Sequence, residues 1–266
     1  MAKKGSASAD ATREKAKQMR ETQAKADQRA RNLVIALVAA LIVAIVVAVT
    51  LVVMNRPSAE QGGEGLPTQF DEGQPIVVSS AGIDTPTTSS PDLTLYFDYS
   101  CGACSQLEIA LRPDLFDAAE SGDFNLALQP VVTAGAPFNV AATAGALAVA
   151  AEVPDLFLQM HEGLIDYFFQ AAMTDGDTAY RDLDESLEVV KEIATDMGVP
   201  QDVVDSFDPE AAASYLAMAT KTWTSTKISG REGPATPEFV TNGAKVPLTG
   251  STAAEVIEEL IAAAAK

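Results

Sequence analysis

Leu33 to Met54 reads LVIALVAALIVAIVVAVTLVVM, 22 residues without a single charge. As a helix rising about 1.5 Å per residue, such a run spans roughly the 30 Å of a bilayer's hydrocarbon core. A buried helix of a water-soluble domain keeps a polar face, and this run has none. A cleaved signal peptide is the rival reading. Its apolar region is usually about 7–15 residues, whereas this one is longer, follows a tail of 32 residues and is not followed by a convincing A-x-A site. The run is therefore expected to be an uncleaved transmembrane anchor, which leaves the fold to the residues after it.

Charge divides the chain at the same place. Residues 1–32 hold nine Lys/Arg and four Asp/Glu, whereas residues 55–266 hold nine and 33. A small basic tail is thus joined to a domain of net charge −24. Lys25, Arg29 and Arg31 lie close before the apolar run and only Arg56 closely follows it. Positive residues stay in the cytoplasm, so the tail is expected inside and the acidic domain outside. That acidity excludes nucleic acid as a partner, because phosphate is repelled and no Lys/Arg cluster follows residue 56. Residues 55–75, rich in Gly, Pro and charge, read as a linker.

Beyond the linker the patterns alternate between strand and helix. Ile76-Val77-Val78 and Leu93 to Phe97 read as strands. From Cys101 to about Ala119, Leu107, Leu111 and Leu115 recur at helical spacing, with Pro113 expected to kink or divide the helix. Phe124 to about Val132 reads as a strand again, so strand, helix and strand form a parallel unit. Residues 138–228 are expected to be helical, in segments 138–152, 154–170, 183–198 and 209–228. Asp182 or Asp184 opens the third, and Asp208 followed by Pro209 opens the fourth. Glu238 to Thr241, Asn242-Gly243 and Ala244 to Val246 then give a hairpin with an Asn-Gly turn, and residues 252–265 a closing helix.

The chain has only two cysteines, Cys101 and Cys104, and both fall where a strand passes into a helix. A thiol at a helix N-terminus meets unpaired N–H groups and the positive end of the macrodipole, which favour the thiolate. Its partner one turn later is close enough to form an intramolecular disulfide and to resolve a mixed one. Competing readings of the pair are weak. Structural zinc takes four ligands, but the chain adds only one histidine to the two cysteines. Covalent haem needs a histidine at position 105, which is Ser. An inert disulfide would close a loop too short to stabilise much. Thiol–disulfide exchange remains, with no cofactor and no metal.

Phe97-Asp98-Tyr99-Ser100-Cys101-Gly102-Ala103-Cys104, the helical block, and Ala235-Thr236-Pro237-Glu238-Phe239-Val240-Thr241-Asn242-Gly243 resemble the DsbA-like branch of the thioredoxin superfamily. The resemblance covers residues 76–266. It implies an α/β, thioredoxin-like fold with a helical insertion between a βαβ and a ββα half, preceded here by one transmembrane helix. It also implies a cis Thr236–Pro237 bond facing the cysteines, with the Thr236 backbone pairing with substrate peptide. Family members often carry an acidic residue six positions before the first cysteine, where this chain has Leu95. The Gly102-Ala103 dipeptide lacks the histidine of some strong oxidases. Asp98 reads as a surface or capping carboxylate, His161 as a packed or exposed helix residue, and Trp223, Tyr96, Phe97 and Tyr99 as core.

The activity expected is exchange of the Cys101–Cys104 disulfide with thiols of exported proteins, with a separate membrane partner restoring the disulfide and the anchor holding the enzyme to the bilayer. Running in reverse, the same chemistry is a thiol reductase. A binding or chaperone protein that kept the fold is the alternative of another class.

Overall fold

The computed structural model describes residues 66–173 and 177–266. The basic tail, the expected anchor and residues 55–65 of the linker lie outside them. Among the described residues no helix is long and apolar enough to cross a membrane.

Six strands form one sheet in the order β2-β1-β4-β3-β5-β6. They are β1 (Ile76–Ser79), β2 (Gly82–Ile83), β3 (Asp92–Phe97), β4 (Asn125–Pro130), β5 (Glu238–Thr241) and β6 (Ala244–Lys245). β3 runs parallel to β4 across the connecting helix α1 (Gly102–Ser121), as the strand–helix–strand pattern requires. β1 and β5 pair antiparallel with β4 and β3, respectively. In β3, Leu93, Leu95 and Phe97 alternate into the core between less buried neighbours, whereas every residue of β4 is buried. The β5–β6 turn has φ of 51° at Asn242 and 71° at Gly243, the two positive values that a tight hairpin of this type demands.

The insertion between β4 and β5 comprises α2 (Pro137–Glu152), α3 (Phe157–Met173), α4 (Leu183–Asp196), the short α5 (Gln201–Asp205) and α6 (Pro209–Ser225). Asp182 caps α4 by accepting from the N–H groups of Asp184 and Glu185, and Asp208 caps α6 in the same way with Pro209 at the first helical position. Alanine-rich α2 is buried on nearly every side and serves as the axis of the insertion. Its Gly145 lets α4 and α3 approach so closely that a Cβ there would lie 2.7 Å from Val190 and 2.9 Å from Met160. A last helix, α7 (Ala253–Ala264), opens with a capping box between Thr252 and Glu255.

Two expectations are narrowed by the structure. Of kinking or dividing its helix, Pro113 does not do the second: α1 runs through it. Proline removes one backbone hydrogen bond, and Leu111 and Leu115 on either side are anchored in the core. The described end of the linker is packed rather than free. Phe70 sits in a 3₁₀ turn (Thr68–Phe70) and is wholly buried, Tyr215 of α6 donates to the Gln74 carbonyl at 2.8 Å, and Gly73 (φ 79°) lies against the Ala219 backbone. A three-residue turn with a single buried side chain left no periodic pattern for the sequence to show.

Candidate active site

Three chain segments meet at one end of the sheet. Phe97 pairs with Pro130 at the ends of β3 and β4, and Tyr96 pairs with Glu238 at the start of β5. The loop after β3 therefore lies beside the loop after β4 and beside the Thr236–Pro237 bond, which is cis.

Cys101 is the N-cap of α1, and its sulfur accepts from the Cys104 N–H at 3.4 Å. As a thiol it also reaches the Thr236 carbonyl at 3.7 Å. Cys101 is half-buried, Cys104 fully buried, and both are free. The Cys104 thiol donates to the Cys101 sulfur and is the largest influence holding its pKa down to about 6. Burial opposes this, while the N–H groups of Cys104 and Ala103 and the Thr236 side chain add to it. Burial pushes Cys104 far up, and the neighbouring Cys101 raises it further. One sulfur is thus half-buried and ionised near neutral pH, and the other is hidden and protonated. This is the asymmetry a nucleophile and a resolving thiol require.

The four residues singled out in the sequence behave as a group. Cys101, Cys104 and Thr236 are brought together, and Pro237 follows through the cis bond. Behind Pro237, Glu238 is buried; Arg231 grips both of its oxygens, and the Trp223 indole N–H donates to it at 2.9 Å. Trp223 is core, as read, and stacks on Tyr96. Arg231 and Glu238 were not singled out, since nothing in their spacing marks a buried ion pair.

Asp98 is not on the surface but wholly buried, and it acts as the capping carboxylate of two loops. One oxygen accepts from the Ser100 N–H and hydroxyl at 2.8 and 2.6 Å. The other accepts from the N–H groups of Thr133 and Ala134 at 2.7 and 2.8 Å. Leu95 is fully buried in β3, an apolar residue at the position that is often acidic in the resembled family. Of the two readings of His161, packed or exposed, the packed one holds, in a polar chain the sequence did not reveal. Its Nε2 is 2.6 Å from Glu108 and its Nδ1 2.9 Å from the Tyr99 hydroxyl, all three residues being buried. Glu108 lies one turn after Cys104 on the buried stripe of α1, a placement that helical periodicity alone assigns to an apolar residue.

No protein-family model matches the chain, and no curated protein matches it. Solved structures do. MdbA, a thiol–disulfide oxidoreductase from Actinomyces oris, is 24% identical, with a TM-score of 0.59 over 77% of this chain and 94% of its own. A protein-disulfide isomerase from Novosphingobium aromaticivorans is 15% identical, with a TM-score of 0.53 over 73% and 99%. Oxidised BdbD from Bacillus subtilis is 18% identical, with a TM-score of 0.51 over 76% and 100%. The chain shares the thioredoxin-like α/β fold of these solved structures.

Proposed function

We propose that the chain is a thiol–disulfide oxidoreductase of exported proteins, held to the membrane by residues 33–54 with its basic tail in the cytoplasm. The observation that carries the chemistry is the half-buried, acidic Cys101 sulfur beside the Thr236 carbonyl, with protonated Cys104 buried behind it. The uncharged run and the charge step across it support the location. The likeness in fold to solved thiol–disulfide oxidoreductases supports the activity.

In the oxidising direction a substrate thiolate attacks the Cys101 sulfur of the Cys101–Cys104 disulfide. The bond between the two cysteines breaks, and Cys104 leaves with the electron pair and takes up a proton. A second substrate thiolate attacks the substrate sulfur of the mixed disulfide, and Cys101 departs as a thiolate. The substrate loses two electrons and gains a disulfide; the enzyme holds the two electrons until a membrane redox partner removes them. An acidic Cys101 favours this direction, because a stabilised thiolate makes a good leaving group and favours the reduced enzyme.

The test mixes the oxidised full-length chain with a reduced, unfolded disulfide protein. The wild-type chain should transfer its disulfide and Cys101→Ser should transfer none, while reduced Cys104→Ser mixed with the oxidised substrate should accumulate a mixed disulfide through Cys101, a substrate thiol being released. A wild-type chain that transfers no disulfide in either direction would leave a binding role, and reduction of oxidised substrate without the reverse would make the chain a reductase.

A further inference from the structure

Thr236 meets Cys101 through its carbonyl, 3.7 Å from the sulfur, and the segment that delivers it is exposed from Glu232 to Ala235. Among the described residues, no backbone–backbone hydrogen bond ties residues 232–236 to the rest of the molecule. The ends of the segment are held instead. Glu238, where β5 begins, is buried, and Arg231 grips both of its oxygens: Nε donates to Oε1 at 3.0 Å and Nη2 to Oε2. The same guanidinium donates to the Trp223 carbonyl at 3.0 Å and lies over the Trp223 ring, 5.2 Å from its centre. Trp223 in turn donates to Glu238 and stacks on Tyr96, the residue of β3 that pairs with Glu238. Arg231 and Glu238 thus close the segment into a loop pinned to α6 and to the sheet, with Thr236 inside it.

A buried ion pair adds little net stability, since apolar side chains of similar volume often serve as well. The planar fork of an arginine on a carboxylate adds a single relative placement of the two residues. A substrate peptide joined to Cys101 has to run alongside Thr236, whose main-chain groups can pair with it as with one more strand. We propose that Arg231, clasping Glu238, is the positioning residue that holds Thr236 for this pairing, and so sets affinity for polypeptide thiols rather than the reactivity of Cys101. The inference rests on Cys101 and Cys104 being the exchanging pair. The N–H that the Cys101 sulfur accepts belongs to Cys104 in α1, so the sulfur keeps that bond when the clasp is opened.

The experiment reduces the oxidised full-length chain with two dithiols: dithiothreitol, which has no amide group, and an unstructured peptide carrying two cysteines. Either dithiol gives two electrons to the Cys101–Cys104 disulfide and becomes a disulfide itself. Arg231→Gln should raise KM for the peptide about tenfold, the equivalent of roughly one lost backbone hydrogen bond, with kcat and the dithiothreitol rate within about twofold of the wild type. Arg231→Lys, which keeps the charge without the fork, should fall between the two. Because Arg231→Gln strands a buried carboxylate, a second variant, Arg231→Met/Glu238→Gln, removes both charges and leaves Trp223 its acceptor; it should raise KM as far. A folded variant with the wild-type KM for the peptide, or one whose dithiothreitol rate falls as far as its peptide rate, would overturn the assignment. A wild-type chain reduced by neither dithiol would instead remove the exchanging pair, and the inference with it.

Discussion

Cys101 and Cys104 are the same residue type three positions apart, and their surroundings make them opposite acids. The Cys101 sulfur receives hydrogen bonds at a helix N-terminus; Cys104 is enclosed by the core. The two shifts fix how the stability of the reduced form follows pH. Cys101 has a folded pKa of about 6, below the roughly 8.5 of an unfolded cysteine. It therefore adds stability that grows as pH rises from about 6 to about 8.5 and is lost as pH falls through 6. Cys104 is raised, so above about 8.5 the unfolded chain ionises a thiol that the folded one cannot, and stability declines. Denaturant unfolding of the reduced chain, referenced to the disulfide form, should show a maximum near pH 8–9. A difference that stays flat with pH would mean that the folded environment does not separate the two thiols.

Elements were legible wherever a periodic pattern or a cap announced them: β3 by alternation, α4 and α6 by Asp182 and Asp208, the β5–β6 hairpin by Asn242-Gly243. The polar contents of the core were not. Glu108 and His161 lie on helix faces that periodicity assigns to the interior, and only the packing of α1 against α3 shows them to be partners. Removing one member of a buried pair strands the other, at a cost of about 3–5 kcal/mol, while replacing both with apolar side chains of similar volume is often close to neutral. Chemical unfolding should accordingly find His161→Ala strongly destabilised and Glu108→Leu/His161→Phe near the wild type. If the double variant were as unstable as the single one, the pair would be contributing more than mutual satisfaction. Gly145→Ala belongs to the same scale. Its Cβ would press on Val190 across the α2–α4 contact, a mild overpacking that should cost about 1–3 kcal/mol in the same assay.

Across the whole molecule, the site was legible as two contiguous motifs, Phe97 to Cys104 and Ala235 to Gly243, because each brings its own chemistry. Thr133 and the buried role of Asp98 were not, since they become neighbours of the motifs only when the ends of β3 and β4 and the start of β5 lie side by side. The fold thus places a half-buried, acidic sulfur at the end of the sheet, beside the cis Thr236–Pro237 bond. The most direct measurement of this arrangement is the reduction potential of the Cys101–Cys104 couple in the full-length chain, equilibrated against glutathione at several pH values. With Cys101 ionising near pH 6, the potential should fall by about 60 mV per pH unit below that point and about 30 mV above it, and at pH 7 it should lie between roughly −270 mV, as in thioredoxin, and roughly −120 mV, as in DsbA. A couple that never exchanges with glutathione, or one poised at or below about −270 mV, would contradict a disulfide donor built on Cys101.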